Sequence, residues 1–183
     1  MKKLLTIVIT GLLSLLVFFI TPATDLPTKP EQIIDYEVRK LDVSRFDENG
    51  LLISQVHTPY LKHNQTLKQH FLTTPHIKLL QPDNTEWTIT SKVANSIHDG
   101  KLISFDDNVI VEQRSPQTEI ITILTTSHLL YDPKNEIAST DTSVHIQQGN
   151  NQIDASGMKV TMKDKHIELL GKARGYYEPT KAS

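Results

Sequence analysis

The stretch Tyr36-Glu37-Val38-Arg39-Lys40-Leu41-Asp42-Val43-Ser44-Arg45-Phe46-Asp47-Glu48-Asn49-Gly50-Leu51-Leu52-Ile53-Ser54-Gln55-Val56 decides the fold class. Tyr36, Val38, Lys40 and Asp42 alternate with Glu37, Arg39, Leu41 and Val43, a period of two that belongs to a strand. Asp47-Glu48-Asn49-Gly50 reads as a tight turn, because Asp and Asn bond their own backbone and Gly50 is free to take positive φ. Residues 52–56 then form the returning strand, so 36–56 is a hairpin candidate.

The same alternation continues downstream, broken by turn residues every few positions. A weak internal repeat runs through it, with copies around 60–79, 94–111, 129–146 and 158–176. Each copy has the form strand, polar turn, strand, turn, strand. The turn chemistry fits at Asn64, Asp99-Gly100, Asp132-Pro133 and Asp164. Beyond the N-terminal run, the best helical candidate lies near residues 93–96 and is too short to stand alone. One such unit cannot bury its apolar face, whereas stacked units share a core. The pattern therefore predicts an all-β domain, as a jelly roll, a sandwich or a two-sided roll. A stack of this kind leaves an open edge at each end, and open edges invite strand addition.

Upstream, Lys2 and Lys3 precede an uncharged apolar run at residues 4–20. At about 1.5 Å per residue the run spans roughly 26 Å, near the lower limit for crossing a hydrocarbon core. The flanking lysines set its orientation, with the N-terminus cytoplasmic and the rest outside. A cleaved signal peptide is the alternative, with Thr21-Pro22-Ala23 as its possible cleavage region. Pro22, Pro27 and Pro30 make residues 22–32 an extended tether. The expected organisation is an anchor at 1–21, the tether at 22–32, a β domain at 33–178 and a tail at 179–183.

Composition narrows the function. There is no cysteine, which excludes an acylated lipoprotein, disulfides and thiolate metal sites. Without Lys2 and Lys3 the external part carries 19 − 2 = 17 basic and 21 acidic residues, a formal charge of −4. Such a surface has no general attraction to nucleic acid. No phosphate-binding glycine loop and no nucleophile elbow is present. His57, His63, His70, His76, His98, His128, His145 and His166 lack the short spacings that place two imidazoles on one metal. Asp106-Asp107 reads as a turn beside Asn108 rather than an acid–base pair. The residues offer no catalytic constellation, metal centre or cofactor site.

The apolar alternation is the remaining signal. It places Phe71, Ile77, Leu79, Trp87, Ile89, Ile103, Phe105, Val109, Val111, Tyr131, Val144, Ile146, Ile167 and Leu169 on inner faces. Those faces either close into a dry core or stand apart around an apolar groove. A groove would suit acyl chains, each buried methylene contributing about 0.8 kcal/mol.

These residues, together with Trp87 followed by Ala94, Leu102 and Asn108-Val109-Ile110-Val111, then Thr125-Thr126 before Leu129-Leu130-Tyr131, and Ala155-Ser156-Gly157-Met158-Lys159, resemble the LptC family of the lipopolysaccharide export bridge. The likeness covers nearly the whole chain and is diffuse. It implies a twisted, open-ended β-jellyroll behind one membrane helix, with lipid A acyl chains riding in the groove. It implies transport, with lipopolysaccharide received from the inner-membrane transporter subunits LptF and LptG, powered by LptB, and passed to LptA. Carried over residue by residue, it puts Phe71 and Ile167 in the groove and Leu41 in the strand before the first turn; with the inner faces read from the alternation, the expected groove includes Leu41, Phe71, Ile77, Trp87, Ile103, Phe105, Tyr131, Ile146, Ile167 and Leu169. Gly50, Gly149 and Arg174 would mark the partner edges, and Lys159, Lys163 and Arg174 are candidates for phosphate contacts. Two rivals stand beside this reading. One is a periplasmic scaffold that joins partners by strand addition without lipid. The other is a carbohydrate-active domain, for which one Trp and five Tyr give thin support.

Overall fold

A computed structural model describes residues 33–97, 100–118 and 120–178. The expected anchor, tether and tail, and His98, lie outside the described residues. Within them the chain forms twelve strands and no helix: β1 (Ile34–Phe46), β2 (Leu52–Asn64), β3 (Gln69–Thr73), β4 (His76–Leu80), β5 (Glu86–Thr90), β6 (Val93–Ile97), β7 (Leu102–Arg114), β8 (Thr122–Asp132), β9 (Ile137–Thr140), β10 (Val144–Gln148), β11 (Asn151–Thr161) and β12 (His166–Tyr176). All pairings are antiparallel. The short helix considered near residues 93–96 is instead β6, held between β3 and β7. Two neighbouring strands outweigh any local helical preference.

The sheet folds on itself into two layers. The long strands β1, β2, β7, β8, β11 and β12 run through both. The short pairs β3/β4, β5/β6 and β9/β10 are single rungs broken where the sheet turns the corner. In the first layer Val43, Val56, Ile77, Ile89, Val111, Leu124, Ile146, Ile153 and Gly175 stand in register across nine rungs. In the second layer the corresponding line is Tyr36, His63, His70, Ser96, Ile103, Tyr131, Ala138, Val160 and Ile167. The two lines face each other. Phe105, Ile89, Leu129 and Val109 are fully buried between them, and Met158 is 1 % exposed. Burial of each such side chain contributes about 1.5–3 kcal/mol.

The corner explains where simple alternation fails. Inward residues are two apart within a layer but three apart across the bend: Val38 to Leu41, Thr58 to Leu61, Thr126 to Leu129, Ala155 to Met158. Lys40, Asp107, Asn108 and Gly171 take positive φ at the bend of their strands. Between Asp106 and Val109 the register shifts, as a bulge requires. Buried hydroxyls repair the backbone bonding there. The Thr58 hydroxyl lies 2.7 Å from the Thr73 carbonyl oxygen, that of Ser91 donates to Val93 O at 2.7 Å, and that of Thr126 lies 3.0 Å from Ser143 O. Buried backbone groups need such partners.

Among the described residues β1 pairs only with β2, and β12 only with β11. Both ends of the stack therefore present an unpaired strand. The first turn forms as its sequence requires: the Asp47 carboxylate accepts the Asn49 and Leu51 amides at 2.9 and 2.8 Å, and Gly50 has φ 78°.

Candidate functional site

Nine of the ten expected groove residues converge between the layers. Ile77, Trp87, Phe105, Tyr131 and Ile146 belong to the buried cluster, and Leu41, Ile103 and Leu169 pack against it. Ile167 is 38 % exposed and lines the interior cavity from β12. Phe71 is the correction. It pairs with Lys62 and Asn95, while its neighbour Leu72 pairs with Leu61 and Ala94 on the inner side. Strand side chains alternate, so Phe71 must point outward. There the Lys62 ammonium lies 5.3 Å from its ring centroid.

The interior is nearly full. Between Trp87, Val111 and Leu124 on one layer and Leu129, Met158 and Val160 on the other, the cavity measures about 20 Å³. That is room for roughly one water. Tyr131 is buried in the core, and burial, aided by the Glu136 carboxylate, pushes its phenol up to about 12. The Trp87 indole N–H is buried without an acceptor among the described residues.

The second layer's inner line is graded. From β1 to β6 it is polar: the Tyr36 hydroxyl meets His70 Nε2 at 2.6 Å, His63 Nδ1 meets Asp35 at 2.6 Å, and Tyr36 stacks on His63. Burial works to raise the Asp35 carboxyl, but the bond from His63 and its charge bring it below the ordinary value. From β7 to β12 the line is apolar. No sequence signal marks this cluster, because it depends on the register of three strands. Three further Asp–His pairs, Asp42–His57, Asp106–His128 and Asp154–His145, are direct cross-strand partners on outer faces. Among the described residues no group of three or more metal-capable side chains converges.

Of the expected edge residues, Arg174 lies on the free strand β12. Gly50 closes the β1–β2 turn, and Gly149, with φ 58°, closes the β10–β11 turn, where Asn150 donates to Glu178 just past the end of β12 at 2.6 Å. Lys159 is exposed on β11, paired between Ser139 and Glu168 on the outer face. Lys163 lies in the β11–β12 turn.

The model of the family described as "Lipopolysaccharide-assembly, LptC-related" matches residues 4–178. The chain belongs to the LptC family. Its role accordingly lies in lipopolysaccharide transport. No curated protein matches this chain. Among solved structures, the chain is similar to LptH, titled the LptA-homologous periplasmic component of the conserved lipopolysaccharide transport device from Pseudomonas aeruginosa. The identity is 8 %, the TM-score 0.56, and the match covers 69 % of this chain and 95 % of that one. At that identity the likeness shows the fold alone, an antiparallel β-jellyroll.

Proposed function

We propose that this LptC-family chain is a non-catalytic conduit that carries the acyl chains of lipopolysaccharide between its two layers. The supporting observation is the pair of inner lines that run in register from one unpaired edge strand to the other. Strand addition at β1 would continue the jellyroll of the membrane subunits LptF and LptG, with LptB supplying the energy. Addition at β12 would pass the lipid to LptA. Exposed Ile34, Tyr36, Val43 and Phe46 at the first edge, and Ile167, Leu170 and Tyr176 at the last, suit both junctions. The uncharged run at 4–20 would hold the chain in the inner membrane with the β domain in the periplasm. Leu41, Ile77, Trp87, Ile103, Phe105, Tyr131, Ile146, Ile167 and Leu169 would meet the lipid as the layers part.

The small interior favours one rival, a scaffold that joins its partners by edge pairing with a permanently closed core. Photo-crosslinking residues placed one at a time at Ile103 and Ile167, with surface controls at Phe71 and Glu48, separate the two in living cells. Lipopolysaccharide adducts at the first pair and none at the controls support the conduit. Adducts at none, with the protein folded and in complex, leave the scaffold.

A further inference from the structure

The side of the roll opposite the corner is closed by contacts between turns. Here the turns of the first layer face those of the second. Lys165, in the β11–β12 turn, forms an ion pair with Asp83 in the β4–β5 turn, and Gln81 Nε2 donates to Glu136 Oε2 of the β8–β9 turn at 3.5 Å. None of these turns joins strands that neighbour the other turn's strands in the sheet. The two contacts therefore tie layer to layer rather than rung to rung.

Met162 lies beneath, 1 % exposed, and lines the interior cavity. Its amide donates to Glu136 O at 2.9 Å, and its carbonyl accepts the Lys165 amide at 3.2 Å. Lys165, Met162 and Glu136 are thus one mechanical unit. Outside them is an open recess of about 670 Å³ lined also by Pro82, Lys134 and Lys163. Inside, the cavity that Met162 lines measures about 20 Å³.

We propose that Asp83–Lys165 and Gln81–Glu136 form a latch over a side entrance, with Met162 as its plug. An acyl chain passes between the layers when the latch opens, and the polar head of the same amphiphile stays in the outer recess beside Lys134 and Lys163. The proposal rests on the conduit reading and adds its control point. The bonding suits such a duty. The Asp83 and Lys165 side chains are 34 % and 40 % exposed, so the pair is screened and opens readily. Methionine is unbranched and flexible, so the plug can move without distorting the strands.

The test uses Asp83→Cys with Lys165→Cys in the full chain, which has no other cysteine and one tryptophan. A bis-maleimide with a cleavable spacer bridges the two thiols, and separate capping of each thiol by N-ethylmaleimide is the control. The protein is held in amphipol and mixed with lipopolysaccharide whose acyl chains carry bromine, which quenches Trp87 on contact. Quenching of the capped form, its loss in the bridged form and its return on cleavage are expected. Asp83→Asn, which needs no bridge, should quench roughly threefold faster than the unmodified chain. Equal quenching of bridged and cleaved protein overturns the latch while leaving the conduit standing. No quenching in any form overturns the conduit and the latch together.

Discussion

Lys62 covers Phe71: the ammonium sits 5.3 Å from the ring centroid, on the face of the sheet turned away from the core. An exposed cation–π contact is worth about 0.5–1 kcal/mol. Phe71→Ala should therefore cost on the order of 1 kcal/mol. Phe105→Ala, in the fully buried line, should cost about 3–5 kcal/mol. Urea unfolding of both variants checks the contrast, and equal losses would put Phe71 in the core.

Trp87 presents a polar atom with no partner among the described residues, in an apolar setting. Trp87→Phe removes the unpaired N–H and keeps most of the ring, so stability should hold or rise slightly. Trp87→Ala should cost about 3–5 kcal/mol through the cavity it leaves. A Trp87→Phe variant that melts far below the parent would reveal an acceptor for the indole.

Strong acid should loosen the side of the roll. The hydrogen bond from Lys165, with those from Thr85, lowers the Asp83 carboxyl from 3.8 to about 2. A carboxyl depressed in the folded state contributes stability above its unfolded value and loses it as pH falls through the folded one. The contribution is thus complete above about pH 4 and fades towards pH 2. Asp83→Asn should flatten the acid limb of stability against pH over that window and leave the neutral limb parallel to the parent. An unchanged acid limb would remove Asp83 from the account.

Two glycines should resist substitution for different reasons. At Gly50 a Cβ would meet nothing within 4 Å, but φ is +78°. Gly50→Val should lower the melting temperature through backbone strain of about 1–2 kcal/mol, and Gly50→Asn should lower it less. At Gly157 a Cβ would lie 2.9 Å from the Thr140 carbonyl oxygen. Gly157→Ala should destabilise by separating β11 from β9, visible as faster amide exchange at Met158 and Lys159. Unchanged melting or exchange in either variant counts against its cause.

Much of this fold was legible because alternation is a local property. The Asp47–Gly50 turn and its flanking strands need no tertiary knowledge, and the apolar partners Ile77, Ile89, Val111 and Ile146 follow from period two alone. The corners were not legible. At Thr58–Leu61 the inward phase slips by one residue, and that slip depends on bonds from Thr58 to Thr73 far along the chain. Phe71 was misplaced for a related reason. Phe71 and Leu72 are both apolar and adjacent, and only their register with Lys62 and Leu61 decides which faces the core. The Asp83–Lys165 pair joins turns 82 residues apart, and each residue alone reads as an ordinary turn position.

The unpaired strands at β1 and β12 carry one more consequence. Nine rungs give eight spacings of about 4.8 Å, so the domain measures roughly 38 Å from first strand to last. Nothing in its hydrogen bonding fixes that figure, because each rung meets the next by the same rule and the last strand is as ready to pair as the first. Such a domain is a segment cut from a ribbon of arbitrary length. The distance it spans would be a quantity for gene duplication and deletion to adjust, one strand pair at a time, without redesigning the interior.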